Sequence, residues 1–303
     1  MKNSIVSASA NSGVWGAIQV KAAASDATAT STATSTSTTS FDYTIPTSND
    51  LYPSVRKRGL AYNDASLTQF FNGFKVSWAY NWYSAPVDST SHPSAALNLS
   101  QTFVPMLWSD TSDLTSVWAA NAQAALDAGA DHLLAFNEPD QCGDGLGGSC
   151  MGSPAHAAAS YKTWMQPFAG RAKLGAPAVT NGGSPMGLTY LEYFIGNCTG
   201  CTIDFIPIHW YDQWWNVDYL YWYVQQAYQV GGGRPIWITE FAPWGAEEWQ
   251  QWWFLNQTLP WLDQYDGVER YAYFGTFDGM LINDNGTGLS RLGELYNERR
   301  SSY

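Results

Sequence analysis

Two carboxylates stand where apolar runs end. Leu133-Leu134-Ala135-Phe136-Asn137 leads into Glu138, followed by Pro139 and Asp140, and about a hundred residues later Pro235-Ile236-Trp237-Ile238-Thr239 leads into Glu240 and Phe241. A carboxylate at the C-terminal end of a buried strand sits on the face where parallel α/β folds keep their chemistry. Two of them on one rim suit glycoside hydrolysis. One acts as the acid on the departing oxygen and the other, ionised, as the nucleophile, with the carboxyls about 5 to 5.5 Å apart in a retaining reaction. For both roles to coexist the acid must be held protonated by burial and by repulsion from its partner, which assigns Glu138 as acid and Glu240 as nucleophile. Asn137, next to the acid, is placed to hydrogen-bond a sugar hydroxyl. In Ile206-Pro207-Ile208-His209-Trp210-Tyr211-Asp212, His209 and Tyr211 alternate onto one strand face and can orient a carboxylate through N–H or O–H donors. The strand-end rings Trp82, Trp108 and Trp244 are candidate sugar platforms, and each could instead serve packing.

The elements that must carry these residues are legible as eight strand-like segments, at 58–63, 74–82, 103–108, 131–137, 173–179, 204–211, 235–241 and 268–277. Helix-compatible segments lie between them at 117–128, where Trp118, Ala122, Ala125 and Leu126 share a face, and at 155–171, 217–230 and 247–264. Eight strands with crossovers in some 250 residues imply an α/β fold, a (β/α)8 TIM barrel. The alternative, an open doubly wound sheet, lacks a glycine-rich phosphate loop at any crossover. The stretch between Asn81 and Phe103 has little helical pattern and is expected to be a long loop over the active face.

Composition narrows the partners. Fourteen basic against 26 acidic residues give a net charge of −12, which opposes nucleic acid and anionic membranes and suits a neutral ligand. Charged residues are 13 % of the 303-residue chain and aromatics 16 %, including 16 Trp and 18 Tyr, an abundance of rings suited to stacking on sugar C–H faces. Nothing approaches the ~20 apolar residues of a membrane-spanning helix, so no membrane insertion is expected. Cys142 with Cys150 and Cys198 with Cys201, in glycine-containing loops, read as two local disulfides in an oxidising compartment; no His stands at zinc-ligand spacing beside either pair. Four Asn-x-Ser/Thr sequons, at Asn98, Asn197, Asn256 and Asn285, agree with secretion. Residues 5–20 are broken by Ser, Asn and Gly and do not form a continuous apolar signal core. The domain organisation expected is a Ser/Thr/Ala-rich disordered stalk over residues 1–50, open to O-glycosylation, followed by one catalytic domain over 51–303.

The segments Arg58-Gly59-Leu60-Ala61-Tyr62-Asn63, Trp78-Ala79-Tyr80-Asn81-Trp82, Val104-Pro105-Met106-Leu107-Trp108, Asn137-Glu138-Pro139-Asp140 and Thr239-Glu240-Phe241-Ala242 occur in an order that resembles fungal glycoside hydrolase family 128, the Asl1-like glycosyl hydrolase catalytic core. The resemblance runs over about residues 55 to 300. It implies a (β/α)8 barrel acting on β-1,3-glucan by retention, with Glu138 as acid/base and Glu240 as nucleophile, and no metal or organic cofactor. The candidate substrate-binding set is then Asn63, Asn81, Trp82, Trp108, Asn137, His209, Tyr211 and Trp244. The expectation is a monomeric, secreted or wall-associated endo-β-1,3-glucanase. Its rivals are a non-catalytic glucan-binding wall protein and the same machinery on another β-glucan.

Overall fold

The computed structural model describes residues 56–73, 75–87, 96–143 and 145–298. The expected stalk lies outside them. Eight parallel strands follow in order: β1 Arg58–Tyr62, β2 Val76–Tyr80, β3 Thr102–Phe103, β4 His132–Leu133, β5 Lys173–Leu174, β6 Ile206–Asp212, β7 Ile236–Pro243 and β8 Val268–Thr276. Six form one sheet in the order β3-β2-β1-β8-β7-β6, and β4 pairs with β5. Single bridges join the two sheets into a closed ring: Met106 with Leu134 on one side, Gly175 with Phe205 and Val179 with Ile208 on the other. The fold is the TIM barrel that the eight segments imply.

Three expected strands are much shorter than their apolar runs. The runs at 103–108, 131–137 and 173–179 form ladders of two residues and then continue through isolated bridges. Pro105, Pro139 and Pro177 fall in or beside them, and a residue without an N–H cannot donate to a ladder.

The crossovers are α1 Ser112–Asp127, α2 Pro154–Trp164, α3 Gly187–Asn197, α4 Val217–Val230, α5 Glu248–Gln264 and α6 Arg291–Glu298. The helix expected over 155–171 stops at Trp164 and gives way to a 3-10 turn, Gln166–Phe168, because Pro167 cannot donate back to the preceding turn. Helices α3 and α6 are additional to the sequence reading. The described residues between Asn81 and Phe103 contain no helix. None of the helices among the described residues is long and apolar enough to cross a membrane.

Two apolar layers hold the barrel. The outer one lies between strands and helices and includes Trp118, Ala122, Leu191, Leu220, Phe254 and Leu255. The inner one fills the barrel with Trp78, Tyr80, Val104, Met106, Leu134, Phe205 and Trp237, so the interior is a packed core. Trp237 meets Phe205 at 4.4 Å and Trp78 at 4.9 Å between ring centroids. Gly59 makes room for this filling, since a Cβ there would fall 2.1 Å from the Trp78 ring. Each fully buried aromatic of this kind is worth on the order of 2–3 kcal/mol in apolar burial. Both expected disulfides are present, Cys142 with Cys150 and Cys198 with Cys201, which leaves no thiolate for zinc.

Candidate active site

Glu240 arrives on the regular side of the barrel. All eight residues of β7 are buried, and the register slips on both flanks of Glu240, between Ile208 and His209 on β6 and between Ile238 and Phe241 on β7 against β8. Such irregularities re-aim a side chain at a barrel rim. They set Glu240 directly beside His209. Its Oε1 accepts from Trp82 Nε1 at 2.7 Å and its Oε2 from Tyr211 Oη at 2.6 Å. Burial, then the charge of Glu240, holds the Tyr211 phenol well above its ordinary pKa, so it remains a donor at any working pH. Two donors are thus aimed at one carboxylate.

Glu138 arrives differently. It lies beyond the short β4, where the backbone adopts φ of +42°, a left-handed conformation uncommon outside glycine. Its N–H bonds to Ala178 O at 2.7 Å, and Asp140, two residues on, is buried and accepts from Thr180 N, Thr180 Oγ1 and Gly187 N. Asn137 donates its N–H to Trp108 O and its Nδ2 to Gly147 O at 3.2 Å, while its carbonyl accepts from Ser149 N. These bonds tie the strained residue to three neighbouring segments. Trp82, the ring that meets Glu240, is likewise at positive φ, +58°. Backbone strain therefore collects where the two carboxylates face each other.

His209, fully buried, lies between them. Its Nδ1 is 2.7 Å from Glu138 Oε1, and its Nε2 is 3.5 Å from Glu240 Oε1 with no hydrogen-bond partner. One atom from each of Glu138, His209 and Glu240 falls within 4.8 Å of the others. Burial raises the Glu138 carboxyl above the usual range; the bond to His209 opposes this and the charge of Glu240 adds to it. Burial works against an imidazolium at His209, but Glu240 and Glu138 together outweigh it and raise that group too. The trio is a proton-holding cluster beside a carboxylate with two fixed donors. Three such ligands could also bracket a cation, although the Trp82 and Tyr211 donors already take one lone pair on each oxygen of Glu240.

The remaining expected residues take varied positions. Trp108, half-buried, lines a cavity of about 580 Å³ with the glycines of the Cys142–Cys150 loop. Trp244 is exposed at the rim and packs edge-on to Tyr211, centroids 5.6 Å apart. Asn81 turns its amide into its own loop, donating to Ala85 O and accepting from Tyr83 N. Asn63 is exposed just past β1 and makes no hydrogen bond to the trio. Asn137 keeps a buried Oδ1 without a partner, available to a hydroxyl donor.

Comparison with known proteins gives this geometry a lineage. The description of the glycosyl hydrolase catalytic core matches residues 59–296, most of the chain and every element that builds the site. The chain belongs to that family. Among its relatives, a subgroup III family 128 enzyme from Blastomyces gilchristii, a curdlan-specific exo-β-1,3-glucanase solved with glucose, is 40 % identical. That match covers 81 % of this chain and 99 % of the other, with a TM-score of 0.70. A subgroup IV endo-β-1,3-glucanase from Lentinula edodes is 28 % identical, covering 80 % and 99 %, with a TM-score of 0.64. A mutant subgroup I endo-β-1,3-glucanase from Amycolatopsis mediterranei, solved with laminaripentaose, is 29 % identical, covering 80 % and 98 %, with a TM-score of 0.63. Alkali-sensitive linkage protein 1 of Schizosaccharomyces pombe is 30 % identical over 268 residues, which are 79 % of this chain. The chain spans 44 % of that relative's length.

Within this glycosyl hydrolase core, the sequence reading passed over several residues that shape the site. Phe274 and Phe277 pack on the Trp82 ring at 5.7 and 6.2 Å, Tyr80 donates to Thr239 O, and Asp140 anchors the Glu138 turn. Phe277 closes the eighth apolar run, so strand-end logic could have found it. Tyr80 and Asp140 offer no such signal, because their partners are 159 and 47 residues away.

Proposed function

We propose that the chain is a retaining β-1,3-glucanase in which Glu138 is the acid/base and Glu240 the nucleophile. The observation that carries the reading is the trio itself: a buried carboxyl whose pKa burial raises, a second carboxylate held by two donors, and oxygens of the two within 4.8 Å. That spacing supports direct attack by a carboxylate over insertion of water, which needs roughly 6.5–9.5 Å. Glu240 attacks the anomeric carbon as the glycosidic C–O bond breaks, and Glu138 gives its proton to the departing oxygen. Water then loses a proton to the Glu138 carboxylate and attacks the same carbon, which releases Glu240 and returns the configuration to its starting sense.

The activities of the three solved relatives support β-1,3-glucan as the substrate. They include both exo- and endo-acting enzymes. Internal cutting remains our proposal, along with a secreted or wall-associated, monomeric protein with an N-terminal stalk; the two disulfides support an oxidising compartment. A pure binder has no use for two buried carboxylates in mutual repulsion, a costly arrangement without chemistry to serve. Incubation with laminari-oligosaccharides, following product length and anomer, tests the proposal. Short β-anomers from internal cuts are expected. Release of α-anomers would overturn retention, glucose or disaccharide alone would replace endo with exo action, and binding without cleavage would overturn the enzyme reading.

A further inference from the structure

The rim beside Glu240 carries a second set of rings that the catalytic trio does not use. Beyond β6 come Trp214 and Trp215, and the first turns of α5 present Trp249 and Trp253, four residues apart and so on one helix face. Trp214 stands edge-on to both, with centroids 5.3 Å away at 64° from Trp249 and 5.3 Å away at 86° from Trp253. Indole surface is left to solvent: Trp249 is 58 % exposed and Trp253 36 %, and Trp215, next in the chain to Trp214, is 60 % exposed. Exposed aromatic clusters of this kind mark contact surfaces, because a folded chain gains nothing by leaving several indoles in water.

The cluster continues from the cleft. Asp212 pairs with Pro243 in the β6–β7 register, and Trp244 N donates to Asp212 O, so Trp244 and the Trp214–Trp215 pair leave the rim from the same point. Trp244 in turn packs on Tyr211, whose hydroxyl is bonded to Glu240. The charges on these loops and helix starts are acidic, Asp212, Asp218, Glu247 and Glu248; the nearby cation Arg291 covers the ring of Trp252. An anionic glycan, nucleic acid or anionic lipid surface is disfavoured there, whereas a neutral sugar chain offers the C–H faces that indoles stack on.

We infer that Trp249 and Trp253, propped by Trp214, form with Trp215 an accessory binding strip for neutral β-glucan. It holds a stretch of the same polymer outside the cleft and keeps the enzyme on insoluble substrate. The inference deepens the β-1,3-glucanase reading and rests on it. Two weak contacts on one polymer reinforce each other, so the strip acts on long or insoluble chains and is silent on short ones.

The test is a depletion assay with particulate curdlan, comparing the full chain with its Trp249→Ala/Trp253→Ala and Trp215→Ala variants, alongside kcat/KM on soluble laminaripentaose. Retention on the particles is expected to fall about ten-fold in the double variant and less in the single one, with kcat/KM on the pentaose within about two-fold of the parent. Unchanged retention would overturn the strip while leaving the glucanase reading intact. A parent that binds curdlan but cleaves no β-1,3-glucan, with the double variant losing that binding, would sustain the strip and sink the catalytic reading. A parent that neither binds nor cleaves would remove both. Concentration-dependent dimerisation of the parent in sedimentation, lost in the double variant, would reassign the rings to self-association and overturn the inference.

Discussion

The two halves of the barrel hold their carboxylates by different means. Around Glu240, β6, β7, β8, β1 and β2 run five to nine residues each in one sheet, and the ladder with its register slips sets where the side chain stands. Around Glu138, β3, β4 and β5 are two-residue ladders joined by isolated bridges, and the residue sits at positive φ. There the position is set by Asp140, the Asn137 bonds and the Cys142–Cys150 loop. A ladder spreads the work over many weak backbone bonds. The irregular half concentrates it in a few side chains, and each of those should be correspondingly expensive to remove.

The sharpest test of the comparison is chemical. Glu240→Ala is expected to cost about 10^4-fold or more in hydrolysis of laminari-oligosaccharides and Glu138→Gln about 10^2–10^4-fold. An aryl β-glucoside that accepts both variants separates the roles: its leaving group needs no proton, so it should restore much of the first step to Glu138→Gln and none to Glu240→Ala. Equal rescue of both would break the assignment. Next in size, Asp140→Ala should lose roughly 2–3 kcal/mol of stability in denaturant titration and lower kcat about ten-fold or more, since three buried donors lose their acceptor and the Glu138 turn is freed. On the regular side the contrasting change is Thr239→Val. Its buried Oγ1 has no partner, so the variant is expected to be within about 1 kcal/mol of the parent or slightly more stable.

Tyr211→Phe removes one of the two donors to Glu240 and should lower kcat by about ten-fold or somewhat more, with near-normal folding. A change confined to KM would show that the phenol serves the substrate and not the carboxylate. The mildest expectation concerns pH. Glu138 and His209 both keep their protons more firmly in the fold than in the unfolded chain. Their contribution to stability is therefore fully present below the ordinary values of 4.5 and 6.5, and is lost as pH rises through the raised folded values. Thermal unfolding should show Glu138→Gln overtaking the parent as pH increases toward about 8, with the gap closing near about pH 4. A gap independent of pH would mean that burial does not hold the Glu138 proton.

Much of this was legible in the chain. The alternation of eight apolar segments with crossovers identified the barrel, and the two candidate Glu residues stood out because each ends such a segment. Helix α3 escaped because its entrance, Ser184-Pro185-Met186-Gly187, reads as a turn, and Gly187 does start it at φ of +58°. Helix α6 escaped because it is only eight residues long and carries Gly293 inside it. That glycine is required by contact, since a Cβ there would fall 2.0 Å from Leu281 O. Neither the shortness of β3 to β5 nor the inward turn of the Asn81 amide has a local signal, because hydrophobic patterning reports burial and not pairing.

By itself the sequence determined which segments must be buried, how many of them alternate with helices, that two carboxylates leave buried strands, and that the chain is net acidic. These are properties of local composition and periodicity, which act before any long-range contact forms. Only the tertiary structure decided that His209 lies between Glu138 and Glu240, that Trp82 and Tyr211 converge on one carboxylate from strands far apart in the chain, and that Trp214, Trp249 and Trp253 meet on the rim. Those placements depend on strand register and barrel closure. A shift of one residue in either would turn the same side chains away from each other.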